Sequence, residues 1–207
     1  PYSQGIYETF DSEAPNYGIE IVAAEAFTAD SKTDFKTQIQ KMKDAGAELV
    51  FLPFYYTEAA LVLQQAKELN YAPTFFGCDG MDGILNLENF DTSLAEGLML
   101  LTPFAADATD DLTVNFVNTY KEQYGDTPIQ FAADAYDCLY AIKNAAEKAN
   151  VTPDMSVSDI CDALETAMPE ITFNGLTGEN IKFNSDGEPD KAPKAVVIKD
   201  GAYVLAD

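Results

Sequence analysis

The stretch from Ala47 to Gly80 combines continuous apolar runs with a helical apolar pattern. Residues 49–52 are apolar at every position, and residues 74–76 form a second short run before a glycine-rich turn. Between the two runs, apolar residues recur at helical spacing at Ala59, Val62, Ala66 and Leu69. This order predicts a strand, a helix and a second strand. A wholly apolar strand is covered on both faces, which predicts a parallel α/β sheet with helices packed on either side.

Similar units are predicted on both sides of this stretch. Residues 2–14 carry Ile6 and Phe10 one helical turn apart, which indicates a helix, and residues 19–22 alternate as a strand does. A second helix is predicted from Phe35 to Gly46. A buried strand is predicted over residues 96–101.

The second half of the chain is mainly helical in pattern. Residues 102–111 contain a proline and clustered polar residues, which predicts a linker. Three helices are then expected: residues 112–124, about 127–149, and a third capped by Ser156 or Ser158.

The C-terminal residues return to a β pattern. Residues 180–183 alternate, and residues 194–199 and 203–205 flank an Asp-Gly turn. We therefore expect a hairpin that joins the first sheet as antiparallel edge strands.

Composition and charge exclude several classes of function. The chain has 207 residues, 47% of them hydrophobic, which is enough for one large or two small domains. A net charge of −23 makes nucleic-acid or membrane-surface binding unfavourable. All twelve basic residues are lysines and there is no histidine, so imidazole-based catalysis and His-ligated zinc are excluded.

The three cysteines do not form a metal-binding pattern. Cys78, Cys138 and Cys161 are too far apart for a CxxC pair, and we expect Cys138 and Cys161 to be buried on apolar helix faces. No apolar run is long enough to span a membrane, and no leader is recognised. Because the chain begins inside a predicted helix, we expect its N-terminus to be that of a fragment.

Ligands of parallel sheets bind where the strands end, which directs attention to Tyr55 and to the turn around Asp79. A carboxylate held there between glycines is suited to accept hydrogen bonds from an ammonium group. The same aspartate could instead bond its own turn. By periodicity alone, Phe131 would belong to a helix core with Ala135 and Leu139.

The order of these segments resembles a known family. Tyr2-Ser3-Gln4-Gly5, Asp34-Phe35 through Gly46, the run at 49–52, Phe75-Phe76-Gly77, and Ala95-Glu96-Gly97 follow one another as in type I periplasmic solute-binding proteins. The similarity is greatest to the branch that serves branched-chain amino acid ABC transporters. Gly175-Leu176-Thr177-Gly178 and the following residues are similar to the closing segment of that branch.

The resemblance implies two α/β lobes that close on a small solute. Residues 1–101 and 178–207 would form most of the second lobe, and residues 102–177 a helical, incomplete part of the first. The sheet of the first lobe would precede Pro1.

In this family, positions that match Asp79, Tyr55, Tyr2 and Phe131 line the ligand site, with the acidic residue holding the ammonium group. The resemblance therefore implies an amino acid ligand and a membrane permease partner. It also implies an extracytoplasmic, periplasmic or lipoprotein location, no catalysis and no cofactor. An unpaired sheet edge would permit a homodimer.

Three other functions remain as alternatives. The same fold could be the ligand-binding domain of an extracellular receptor. An acidic hydrolase would need paired carboxylates, for which Asp79 and Asp82 are the candidates in the turn. A calcium site could use residues 79–83 or 184–190, although neither has EF-hand spacing.

Overall fold

The computed structural model describes residues 2–206. These residues form two compact units. The first comprises the chain up to Thr102 and again from Ala195 onward, and the second comprises Pro103–Lys194. Residues 178–194 cluster with the second unit, and the expected return of the chain to the second lobe at 178 stays a prediction. Within residues 2–206, no helix has the length and apolar character needed to cross a membrane.

The first unit has the α/β order that the sequence predicts. Its helices and strands are α1 (Tyr2–Glu13), α2 (Lys36–Asp44), β1 (Leu49–Leu52), α3 (Tyr56–Glu68), β2 (Thr74–Gly77), β3 (Met99–Thr102), β4 (Lys194–Lys199) and β5 (Ala202–Leu205). After β2, the chain forms separate short 3₁₀ turns, among them Asp79–Met81 and Ile84–Asn86.

The five strands form one sheet in the order β1-β2-β3-β4-β5. β1 pairs parallel with β2, placing Val50 beside Phe75, and β2 pairs parallel with β3. β4 and β5 form the predicted antiparallel hairpin, with Val197 beside Val204. The predicted parallel sheet with an antiparallel C-terminal return is therefore confirmed.

The core of the first unit lies between this sheet and its helices. The predicted helical row is confirmed, since Ala59, Val62 and Ala66 of α3 are buried and Leu69 packs against them in part. Leu100 of β3 has no exposed surface. Apolar burial of this kind contributes about 25 cal/mol per Å², which makes the core the main stabilising element of the unit.

The predicted strand at Ile19–Val22 is not formed. Within residues 2–206, these residues pair with no strand, and shortly after them Glu25 and Ala26 contact α2. Gln38 of α2 donates to the Ala26 carbonyl at 3.3 Å, and Lys41 lies 2.8 Å from the Glu25 carboxylate. Alternating residues give a strand only when another strand supplies the hydrogen bonds.

The second unit contains the three predicted helices, α4 (Asp111–Tyr124), α5 (Gln130–Lys148) and α6 (Val157–Ala167). Asp110 caps α4 by accepting from the Thr113 amide at 2.9 Å. Ser156 caps α6 by accepting from the Asp159 amide at 3.2 Å. Both caps satisfy amides that a helix leaves without partners at its start.

Two local predictions in the second unit are wrong. Residues 180–183 form only single bridges, Phe173 to Ile181 and Phe183 to Pro189, and not a full strand. Cys138 and Cys161 are exposed, whereas Cys78 of the first unit is buried. Cys138 lies outside the buried face of α5, which Ala133, Asp137, Ala141 and Ala145 form.

Candidate functional site

The turn after β2 carries Asp79 and is held by close packing. Asp79 begins a short 3₁₀ turn, and Met81 at the end of that turn has no exposed surface. A Cβ atom on Gly77 would lie 2.7 Å from the end of the Met81 side chain, and one on Gly80 would lie 2.8 Å from the Tyr2 hydroxyl. The two glycines therefore allow the chain to pack closely on both sides of Asp79.

The hydroxyl group of Tyr2 is tied to this turn. It donates to Oδ1 of Asp79 at 2.5 Å, accepts from the Gly80 amide at 3.1 Å, and lies 3.1 Å from Sγ of Cys78. Burial, and then the hydrogen bond to Asp79, raise the pKa of Tyr2. Burial likewise raises the pKa of Cys78. Both groups are therefore protonated near neutral pH, and Tyr2 serves as a hydrogen-bond donor to Asp79.

Tyr55 completes a group of three predicted site residues. It precedes α3 as the N-cap residue, and its ring stacks on the ring of Tyr2 with centroids 5.1 Å apart and planes 24° apart. About half of Tyr55 is exposed, at 49%. β1 and β2 are parallel neighbours, so the residues that follow them lie close together at the carboxyl ends of the strands.

This arrangement is suited to a small cation. A carboxylate such as that of Asp79 can accept hydrogen bonds from more than one donor, and stacked tyrosine rings present electron-rich faces. An ammonium group gains from both features. The binding roles of Asp79, Tyr2 and Tyr55 stay predictions.

Phe131 lies in the second unit, near the beginning of α5. Its side chain is 39% exposed, and Ala135 and Leu139 on the same helix are exposed as well. The core position that periodicity favours for these residues is therefore not observed. The ligand-lining role of Phe131 stays a prediction.

Asp82 follows Asp79 in the same segment and is buried, with 5% exposure. Its amide donates to the Asp79 carbonyl at 3.1 Å. An arrangement of two carboxylates within one turn does not supply the opposed pair that a hydrolase uses across a cleft. Among residues 2–206, no group of three or more acidic or cysteine side chains is placed to hold a metal ion.

The sequence did not identify Tyr203, which supports the same segment from β5. Its hydroxyl accepts from the Gly83 amide at 3.1 Å, four residues beyond Asp79. Burial, and then the charge of Asp82, raise the pKa of Tyr203. A contact between residues 120 positions apart leaves no local signal in the sequence.

Asp137 was also missed, although a signal was available. It is a charged residue at a buried position of α5, with 3% exposure. Its carboxylate accepts from the amides of Leu176 and Thr177 at 2.8 and 2.9 Å, and from the Thr177 hydroxyl at 2.6 Å. Lys191 extends the network by donating to Thr177 at 2.9 Å and to Asp134 at 2.8 Å. Buried charges require such partners, so this network holds the Gly175–Gly178 segment against α5.

Known proteins that are similar in sequence to this chain are named as amino acid-binding proteins. A leucine-, isoleucine-, valine-, threonine- and alanine-binding protein of Pseudomonas aeruginosa is 27% identical over 187 residues, which cover 90% of this chain and 47% of that protein. Leu/Ile/Val-binding protein homolog 7 of Brucella melitensis is 25% identical and matches 89% of this chain and 46% of its own length. The chain thus spans about half the length of these relatives.

Solved structures show the same relation. The leucine-binding protein LivK of Thermotoga maritima superposes with a TM-score of 0.83 at 24% identity, and covers 100% of this chain and 56% of its own. The branched-chain amino acid transporter substrate-binding protein LivJ of Streptococcus pneumoniae, solved with isoleucine, gives a TM-score of 0.80 at 26% identity. It also covers 100% of this chain and 56% of its own. These likenesses identify the fold as that of type I periplasmic binding proteins.

The family model of periplasmic binding proteins matches residues 1–202. That match extends over both units and includes the turn that carries Asp79. The strands β1 to β4 and the helical unit fall within it, and β5 begins at its last residue, Ala202. The chain therefore belongs to the periplasmic binding protein family.

Proposed function

We propose that this chain supplies half of the ligand site of an amino acid-binding protein, with Asp79 as the acceptor for the α-ammonium group. The observation that supports the proposal is the cluster of Asp79, Tyr2 and Tyr55, in which an anion lies beside two stacked rings. The relatives that bind leucine, isoleucine or valine make a branched-chain amino acid the first ligand to test. The function is binding, without catalysis and without a cofactor.

The rest of the site lies outside these three residues. An amino acid also requires hydrogen-bond donors for its carboxylate, and Asp79 cannot provide them. In the proposed assignment, Phe131 lines the pocket, and the two units correspond to the second lobe and to a helical part of the first. Because the chain spans about half of its relatives, we expect its own affinity for amino acids to be weak.

The test is an NMR titration of the chain with three related compounds. Leucine and leucinamide both carry the ammonium group, whereas 4-methylpentanoate has the same side chain and carboxylate but no ammonium group. Since the chain supplies the ammonium acceptor, leucine and leucinamide are expected to shift the amide signals of Asp79 and Gly80. 4-Methylpentanoate is expected to leave them unchanged.

Asp79→Asn tests the role of the charge, and Asp91→Asn is the matched control in an exposed turn of the same unit. We expect the first variant to lose the leucinamide response and the second to retain it. The proposal is refuted if 4-methylpentanoate shifts the same signals as leucinamide, or if Asp79→Asn responds as the unmodified chain does.

We further propose that the complete protein is the extracytoplasmic binding component of an ABC importer. Closure on the amino acid would select one of two conformations, and the closed form would dock on the membrane permease. A periplasmic or cell-surface lipoprotein location belongs to the same proposal. Cell fractionation with an antibody against this chain tests the location, and recovery in the cytoplasmic fraction would contradict it.

A homodimer through the free sheet edge is also proposed. Within the described part of the chain, β1 pairs with β2 alone, and Leu49 on that edge is 49% exposed. An uncovered edge is a template for a second strand. Leu49→Lys should abolish a dimer seen by light scattering, whereas Leu205→Lys on β5, at the other end of the sheet, should not. A monomeric unmodified chain would refute this proposal.

A further inference from the structure

Five aromatic rings form a connected group on α4 and α5 of the second unit. Phe116 lies at the centre, with ring centroids 6.0 Å from Tyr120 and 5.3 Å from Tyr136. The ring centroids of Tyr120 and Tyr124 are 4.6 Å apart, and those of Tyr136 and Tyr140 are 4.7 Å apart. We call the four tyrosines of this group the tyrosine patch.

The tyrosine patch is both exposed and firmly supported. Tyr124 is 63% exposed and Tyr140 is 41% exposed. Phe116, which joins the two pairs of tyrosines, also makes an edge-to-face contact with the buried Phe104. A hydrogen bond with Tyr140, and then burial, raise the pKa of Tyr136 to about 12, so the Tyr136 hydroxyl is protonated at neutral pH. The outer rings are therefore held in place before any partner arrives, which lowers the entropic cost of binding.

The chemistry of the tyrosine patch favours a cationic partner. Tyrosine is enriched in the energetically important centres of protein interfaces, and its ring face attracts cations. The chain has a net charge of −23 and contains no arginine of its own. Lys143, one turn from Tyr140, is paired with Glu147 at 2.8 Å, so its charge is compensated. Lys121 follows Tyr120 on α4 and adds one positive charge, but the chain has 35 acidic residues and only 12 lysines, so a complementary surface brings positive charge.

Arginine fits this surface better than lysine does. Its planar guanidinium group is weakly hydrated and stacks on aromatic rings, whereas the compact ammonium of lysine keeps its water more tightly. We propose that the tyrosine patch is a docking surface for a polypeptide partner that presents arginine side chains. The patch lies wholly within the second unit, so this inference does not depend on amino acid binding at Asp79.

The test compares two peptides of equal charge, tetra-arginine amide and tetra-lysine amide. Affinities are measured by NMR titration at about 150 mM salt, where long-range attraction is screened. We expect tetra-arginine to bind about two- to fivefold more tightly than tetra-lysine, the range expected for exposed cation–π contacts. Its signal changes should be centred on the four tyrosines.

Variants decide whether the rings cause this preference. Tyr124→Leu with Tyr140→Leu should remove the preference for arginine, whereas Tyr124→Phe with Tyr140→Phe keeps the rings and should preserve it. Tyr17→Leu, at a 77% exposed position of the first unit, is the control and should also preserve it. The two phenylalanine substitutions leave the packing intact and keep the test valid if the leucine variant folds poorly. Equal affinity for the two peptides, or a preference that disappears with phenylalanine, overturns the proposal.

Discussion

Replacing Asp137 by alanine should cost the second unit much of its stability. The Asp137 carboxylate, 3% exposed, accepts three hydrogen bonds at 2.6 to 2.9 Å from Leu176 and Thr177. Alanine removes the acceptor and leaves two amides and a hydroxyl without their partner. Each unsatisfied buried donor costs about 1–3 kcal/mol. Allowing for relaxation and for entry of water, we expect a loss of about 3–5 kcal/mol in the free energy of unfolding.

Two further variants separate the loss of hydrogen bonds from a general effect of removing charge. Asp134→Ala removes an ion-pair partner of Lys191. The Asp134 side chain is 32% exposed and that of Lys191 is 23% exposed, so the variant should lose only about 0–1 kcal/mol in the free energy of unfolding. Asp137→Asn keeps the shape but turns one NH₂ group towards the protein donors. The loss in its free energy of unfolding should therefore lie between those of the two alanine variants.

The assay is urea unfolding followed by circular dichroism and by tyrosine fluorescence. The chain has eleven tyrosines and no tryptophan, so both probes are available without modification. The unfolding midpoint should decrease for Asp137→Ala with little change in slope. A loss below about 1 kcal/mol, or one equal to that of Asp134→Ala, would refute the claim that this network holds Gly175–Gly178 in place.

The remaining predictions concern the Asp79 turn. Gly80→Ala places a Cβ atom 2.8 Å from the Tyr2 hydroxyl and 3.1 Å from the Phe54 carbonyl, so it should destabilise the chain by about 1–3 kcal/mol. Gly5 lies in helix α1, and a Cβ atom added there would have no neighbouring atom within 4 Å, so Gly5→Ala should instead stabilise the chain by about 0.5–1 kcal/mol. Thermal melting of both variants compares the two effects. If both variants melt at the same temperature, the close packing of the turn does not contribute to the stability of the chain. The pKa of Tyr203 is raised above its ordinary value of 10.0, so the folded state retains a proton that the unfolded state loses. Its stabilising contribution is therefore complete below about pH 10 and declines as the pH rises towards the folded-state pKa. Stability measured from pH 8 to 11 should fall less steeply for Tyr203→Phe than for the unmodified chain, and parallel curves would contradict the prediction.

Much of the α/β architecture follows from local pattern. The run at residues 49–52 and the helical row of α3 predicted the parallel unit because each pattern matches the period of the element that it forms. The resemblance then pointed to Asp79, Tyr55 and Tyr2, and the structure brings these three residues together. Their ligand contacts await the titration.

Other features depended on partners that local pattern does not reveal. Ile19 to Val22 alternates as a strand does, yet no strand pairs with it within the described residues. Cys138 lies on an apolar helix, yet it is exposed, because a helix period shows which residues share a face and does not show whether another element covers that face. Phe131 is half-exposed for the same reason.

The sequence by itself determined most of the order of helices and strands, the strongly acidic composition and the absence of histidine and arginine chemistry. Those properties depend on residue type and on neighbours a few positions away. Only the tertiary structure decided that Tyr2 bonds to Asp79, that Tyr203 supports the following segment, and that Asp137 accepts from Thr177. These contacts join residues between 40 and 120 positions apart, and they form because packing of the sheet and helices, and not local conformation, brings their side chains within hydrogen-bonding distance.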